Sequence, residues 1–190
     1  MGKAMNTNFM KSLIMSGACV MLLAVSSVAS AESDIGFKAI GPRLGYVDPG
    51  NDLDGAVEFG AAMEFGEFVP QLHWNGSVSF WSTGREYRYL NDRYDWTLRD
   101  IILRTGVDYH FIEGEWEPYA GGGLGLHFYS WDYSNAPNYS NSDDNKLGLY
   151  IDGGVEHQLG ENWTGQLQVQ LDFADPDQTA LMFNLLYVLK

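Results

Sequence analysis

The charged residues of this chain fall at alternate positions within apolar runs, and that spacing limits the chemistry open to them. Arg43 and Arg104 share a polar face with Glu58, Glu64, Asp100, Asp108, Asp152 and Glu156, and these eight form the candidate charge network. Asp172 falls on the same face. Opposite charges held away from water must pair, because an unpaired buried charge is expensive. A charge-paired plug is the expected result, and a gated pore for small solutes is the alternative. The four histidines, His73, His110, His127 and His157, lie in four different runs. Three of them share the polar face, which suits hydrogen bonding; a metal site would require them to converge. Asp132, Asp143 and Asp144 could offer oxygen ligands to Ca²⁺, but EF-hand spacing is absent and the run reads as a solvated loop. No cofactor and no resident metal are implied.

The runs that carry these residues alternate with period two, as half-buried strands do. Val57, Phe59, Ala61, Met63 and Phe65 oppose Glu58, Gly60, Ala62 and Glu64. Leu72, Trp74, Val78 and Phe80 oppose His73, Asn75, Ser77 and Ser79. Trp163, Leu167, Val169, Leu171 and Phe173 oppose Thr164, Gln166, Gln168, Gln170 and Asp172. Five further runs, about 36–47, 96–111, 119–131, 147–158 and 179–189, behave alike, which makes eight strands. In the last, Met182, Leu186 and Val188 make even the second face apolar. No helical pattern competes.

The connections alternate in length. Residues 66–69, 112–117, 159–162 and 174–178 are short, whereas 82–95 and 132–146 are long, polar stretches expected to be loops. Short turns on one side and long loops on the other describe an up-and-down barrel crossing a membrane. The polar face is rich in Gly, Ser, Asn, Gln and acids but poor in Lys, unlike a solvent-facing surface. Trp81, Trp96 and Trp131 toward the long loops, and Phe68, Trp116, Tyr119 and Trp163 toward the short turns, are expected to form two aromatic girdles at the lipid interfaces. The expected fold is therefore an all-β, eight-stranded, antiparallel, up-and-down transmembrane β-barrel. The other reading is a soluble periplasmic barrel, apolar inside, holding a small hydrophobic ligand.

Residues 1–31 read as a cleaved signal peptide, leaving residues 32–190 as the barrel domain. Lys3 and Lys11 precede an apolar run from Leu13 to Val28, and Ala29-Ser30-Ala31 is an A-x-A cleavage site. The single Cys, Cys19, falls inside that segment, so the mature chain has no disulfide or thiolate metal site. The chain of 190 residues has a formal charge of −14, and loss of the two lysines makes it more acidic still. Nothing supplies the basic stripe that nucleic acid requires.

The segment Glu117-Pro118-Tyr119-Ala120-Gly121-Gly122-Gly123-Leu124-Gly125-Leu126 resembles the Tyr-x-Gly-x-Gly-x-Gly strand of small bacterial outer-membrane barrels, the OmpA-type and porin-like β-barrel domains. The opening strand, Ile40-Gly41-Pro42-Arg43-Leu44-Gly45-Tyr46, is similar to theirs. The resemblance implies localisation in the outer membrane, with lipid, lipopolysaccharide and the assembly machinery as partners. The chain ends Tyr187-Val188-Leu189-Lys190, where members usually end in an aromatic that the machinery reads. A second segment, Asp132-Tyr133-Ser134-Asn135-Ala136, is similar to the His-x-Ser-Asn-Ala stretch of outer-membrane lipid A deacylases. There a His activates the Ser; here Asp132 takes its place, and a carboxylate is a far weaker base.

The resulting expectation is a monomeric, non-catalytic outer-membrane barrel with a structural or surface-interaction role. The regions 82–95 and 132–146 would carry binding of an extracellular ligand, since loops on a rigid scaffold usually do. Tyr87, Tyr89, Tyr94, Tyr133 and Tyr139 are the candidate contacts.

Overall fold

A computed structural model describes residues 34–50, 53–89, 92–134 and 142–189; of residues 85–89, 92–94 and 134 it describes the backbone. The expected signal segment, 1–31, lies outside these residues. Eight strands follow one another: β1 (Asp34–Asp48), β2 (Ala56–Val69), β3 (Leu72–Tyr89), β4 (Asp92–His110), β5 (Trp116–Ser134), β6 (Ser142–Gln158), β7 (Trp163–Asp172) and β8 (Gln178–Val188). Each pairs antiparallel with the next, and β1 pairs with β8, so the sheet closes into a barrel. Closure satisfies the ladder hydrogen bonds within the ring and leaves the ring no edge, as hydrocarbon requires.

Period-two alternation sorts the side chains. Ile40, Leu44 and Tyr46 of β1, Val57 and Phe59 of β2, Ile101 and Leu103 of β4, and Leu149 and Ile151 of β6 point outward and are exposed. Arg43, Glu58, Ser77, Ser79, Arg104, His127, Asp152, Gln170 and Asn184 point inward and are buried. The barrel is thus apolar outside and polar inside, opposite to a soluble barrel with an apolar pocket. That observation overturns the soluble reading. The second face of β8 also turns inward: Met182 and Leu186 are buried in the lumen.

Two expectations need correction. Of the stretches 82–95 and 132–146, the described residues are strand rather than loop. Pairing of β2 with β3 extends only to Phe59↔Phe80, and of β6 with β7 to Tyr150↔Asp172. Beyond those points β3 and β4 stay paired to Tyr89↔Asp92, β4 and β5 to Asp95↔Ser134, and β5 and β6 to Trp131↔Ser142. At about 3.3 Å per residue, β3 runs roughly 30 Å past Phe80. A four-stranded sheet therefore stands up from one side of the ring. Away from lipid its backbone pairing needs no apolar alternation, so the sequence pattern fades while the strands continue.

The aromatic girdle is also half misplaced. Phe68, Trp116 and Trp163 are exposed at the short-turn end. Trp81 and Tyr119, however, are buried inside the barrel. Trp96 and Trp131 pack against the same interior cluster as Trp81, with their own ring centroids 5.8 Å apart. All four share the parity of the polar residues in their own strands, and parity rather than nearness to a strand end decides the face.

Candidate functional site

The lumen is filled in three layers. The middle layer is ionic. Glu58 on β2 is fully buried, and it takes a hydrogen bond from Arg104 Nη1 at 2.9 Å and lies 3.5 Å from Arg43 Nε. Arg104 also donates to Ser79 Oγ at 3.0 Å and, through Nε, to Asp172 Oδ2 at 3.3 Å. Arg43 donates to amide oxygens: Gln168 at 2.7 Å, Gln170 at 2.8 Å and Asn184 at 3.3 Å. Two arginines thus meet two carboxylates inside a cage of neutral acceptors. A buried guanidinium requires such surroundings, because its planar fork can satisfy several partners at once.

The layer toward the outer sheet has two parts. His127 Nδ1 lies 2.8 Å from Asp100 Oδ2, and its Nε2 lies 3.2 Å from Asp172 Oδ2. Gln178 donates to Asp100 at 3.2 Å and to the Tyr129 hydroxyl at 3.0 Å. Around and beyond them Val47, Ala56, Trp81, Leu98, Ile102, Ala180 and Met182 pack into an apolar cluster. Leu53, Trp96 and Trp131 cover it from outside. Trp81, Leu98, Ile102 and Met182 are completely shielded from solvent, so the lumen is sealed at this end.

The layer toward the short turns is looser. His73 and His110 stack with ring centroids 4.0 Å apart. His73 Nδ1 is 2.8 Å from Glu64, and His110 Nδ1 is 3.1 Å from Glu117. Gln166 donates to Glu156 at 2.8 Å, and Gln168 donates to Asp152. Asp108 sits here as well, beside a cavity of about 30 Å³ lined by Asn75, Asp108, Tyr150 and Glu156, among others. Such a space admits about two water molecules, since one needs roughly 10–15 Å³ on this measure.

Of the eight residues in the candidate network, the structure brings three into contact: Arg43, Glu58 and Arg104. Asp100 pairs with His127 instead, Glu64 with His73, and Asp152 and Glu156 with glutamines. Among the described residues, neither arginine comes within ion-pair reach of Asp108. Asp172 and His127, already placed on the polar face by parity, are partners of Arg104 and Asp100, and the amides of β7 and β8 are the partners that sequence reasoning did not name. Of the other histidines, His157 stacks on Trp116 outside the lumen, with centroids 4.0 Å apart. Among the described residues, no three His, Asp or Glu side chains group as metal ligands.

The standing sheet carries the candidate tyrosines. The register sets Tyr87 opposite Tyr94, Tyr89 opposite Asp92, and Tyr133 opposite Trp96. Trp96, Trp131 and Tyr133 hold the lumen-side parity of their strands, and the backbone register places Tyr87, Tyr89 and Tyr94 at positions of the same parity. Tyr139 lies outside the described residues. Asp132 is engaged by Arg99, at 2.9 Å.

Comparison with known proteins agrees with this geometry. No curated protein matches the chain. Among solved structures the fold is similar to Ail, the attachment invasion locus protein of Yersinia pestis, with a TM-score of 0.53 and 16% identity over 80% of this chain and 95% of that one. It is similar to Neisserial surface protein A, with a TM-score of 0.55 and 13% identity over 80% and 96% of the two chains. It is also similar to a major outer membrane protein of Thermus thermophilus, with a TM-score of 0.56 and 13% identity over 80% and 98%. At these identities the likeness concerns fold alone. The outer membrane protein beta-barrel domain matches residues 16–187, and the chain therefore belongs to that family of bacterial outer-membrane barrels.

Proposed function

We propose that this protein is a non-conducting, non-catalytic anchor in the outer membrane that presents its standing sheet as a binding surface. The observation that supports this most strongly is the outer sheet itself. Its β3–β6 extensions rise past the ring, with Trp96, Trp131 and Tyr133 on the lumen-side parity and tyrosines frequent in the β3–β4 hairpin sequence. Tyrosine and tryptophan give large contact area at small cost in side-chain entropy, which is why binding surfaces favour them. Among the described residues, an apolar cluster closes the lumen toward the outer sheet and an ionic layer fills its middle. The apolar outer surface makes lipid, with lipopolysaccharide in the outer leaflet, the expected surroundings of a monomer. Catalysis at Ser134 lacks support: the neighbouring carboxylate, Asp132, is occupied by Arg99.

Ail was solved with the heparin analogue sucrose octasulfate, and Ail is named for attachment. A surface-binding role for the present chain is in keeping with that neighbour. The test is adhesion of cells displaying the intact protein against cells displaying a trimmed one, with both long hairpins cut back to the level of Ala56 and Asp172. Sucrose octasulfate serves as one soluble competitor. Adhesion lost on trimming, with the heat-modifiable barrel band intact on gels, supports the reading. Equal adhesion by both overturns it. Reproducible single-channel steps in planar bilayers would replace it with the pore.

A further inference from the structure

We propose that the short-turn half of the lumen is a binding site for one hard divalent cation, held between Asp108 and Asp152. The two acids lie on β4 and β6 with β5 between them. The register aligns Asp108 with Gly121 and Gly121 with Asp152, so both stand at one level on either side of a glycine. Because Gly121 has no side chain, the Asp108 carboxylate leans into the space a Cβ there would fill. Both residues are buried, at 6% and 9% exposure, and among the described residues Oδ1 of each accepts no hydrogen bond. Asp108 borders the lumen cavity, which Asn75 and Tyr150 also line, the Tyr150 hydroxyl donating to Asn75 Oδ1 at 3.3 Å; Asp152 stands outside that lining.

The surrounding charges are already committed. Arg43 and Arg104 also line the cavity, but they are held by Glu58, Asp172 and the amides of β7 and β8. His73 lies against Glu64 and Glu67, His110 against Glu117, and Gln166 against Glu156. Asp152 takes one hydrogen bond, from Gln168, and with Asp108 it adds negative charge out of water, an arrangement that is costly unless a counter-charge sits between them. Two carboxylates with neutral oxygens and water are the ligands that Ca²⁺ or Mg²⁺ accepts, and a divalent ion balances the pair. The cavity beside Asp108 has the volume of about two waters.

The test uses the folded barrel in detergent, stripped with EDTA, then titrated with CaCl₂ or MgCl₂ by calorimetry and melted with and without the ion. One ion bound per barrel is expected. The unfolding midpoint should rise by about 5–10 °C at an ion concentration roughly a hundred times Kd. Asp108→Asn and Asp152→Asn, close in shape, should each abolish that rise. The exposed pair Asp143→Asn/Asp144→Asn should leave it unchanged, which separates this site from acids at the surface. A wild-type barrel with no lumen ion, or a rise that survives Asp108→Asn and Asp152→Asn, overturns the proposal. A wild type indifferent to ions but stabilised by acid, with Asp108→Asn no longer so, would mean that a shared proton bridges the pair instead, and also overturns it.

Discussion

Among the described residues, Glu58 is the only side chain within ion-pair distance of both lumen arginines, so Glu58→Gln isolates the electrostatics of the middle layer. The substitution keeps shape and an acceptor oxygen but removes the charge 2.9 Å from Arg104 and 3.5 Å from Arg43. Glu58 is fully shielded from solvent, and the arginine side chains are nearly so. Removing one partner of a buried pair typically costs about 3–5 kcal/mol. Asp172 still faces Arg104, and the amides still surround Arg43, which places the expected loss near the lower limit. About 3 kcal/mol lowers the folded-to-unfolded ratio roughly 100-fold. Urea unfolding of the protein in lipid vesicles, followed by tryptophan fluorescence and by the unboiled gel band, would measure it. Glu161→Gln, in the exposed β6–β7 turn, is the control. A loss below about 1 kcal/mol, equal to the control, would mean that water screens these charges as it does at a surface. The ionic layer would then not be a dry plug, and the reasoning would fail.

Three further outcomes are expected. Trp81→Ala should cost about 3–5 kcal/mol in the same assay, as large-to-small core changes do. Trp81→Phe should cost much less, because among the described residues the indole Nε1 has no acceptor to lose; equal losses would show that Trp81 does not pack as described. Gly121→Ala should abolish the heat-modifiable band, since the added Cβ would meet both the Asp108 carboxylate and the Val107 carbonyl; normal folding would contradict that crowding. Leu103→Arg, on the outward face at mid-barrel, should cost about 2–4 kcal/mol in lipid. Little change would place that face in water.

The strands whose two faces differ most were legible from sequence. In β2 and β7 one face meets lipid and the other a polar lumen, so alternation runs through most of each strand. It failed for the outer sheet, where neither face meets lipid and the run Ser82–Asp95 offers mainly polar residues and tyrosines. It was available but overlooked for Trp81, which follows Ser77 and Ser79 on the same face. The inward position of Arg43, Glu58 and Arg104 could be read from parity. Their partners could not, because Asp172 reaches Arg104 only through the stagger of strands distant in sequence. The pairing of His127 with Asp100 and the level of Gly121 between two acids depend on the register of consecutive strands, which alternation alone does not give.

The pairing of β1 with β8 makes strand order around the ring independent of where the polypeptide starts. Leu189 N–H reaches Lys38 O at 2.7 Å, so the first and last strands meet at the short-turn end. A short linker there, with new termini at the tip between Tyr89 and Asp92, would keep every ladder of the ring. Such a permuted chain would enter the bilayer with β4 leading and β3 trailing. Its assembly would reveal whether insertion requires β8 to arrive last or only requires that some pair of strands close the circle.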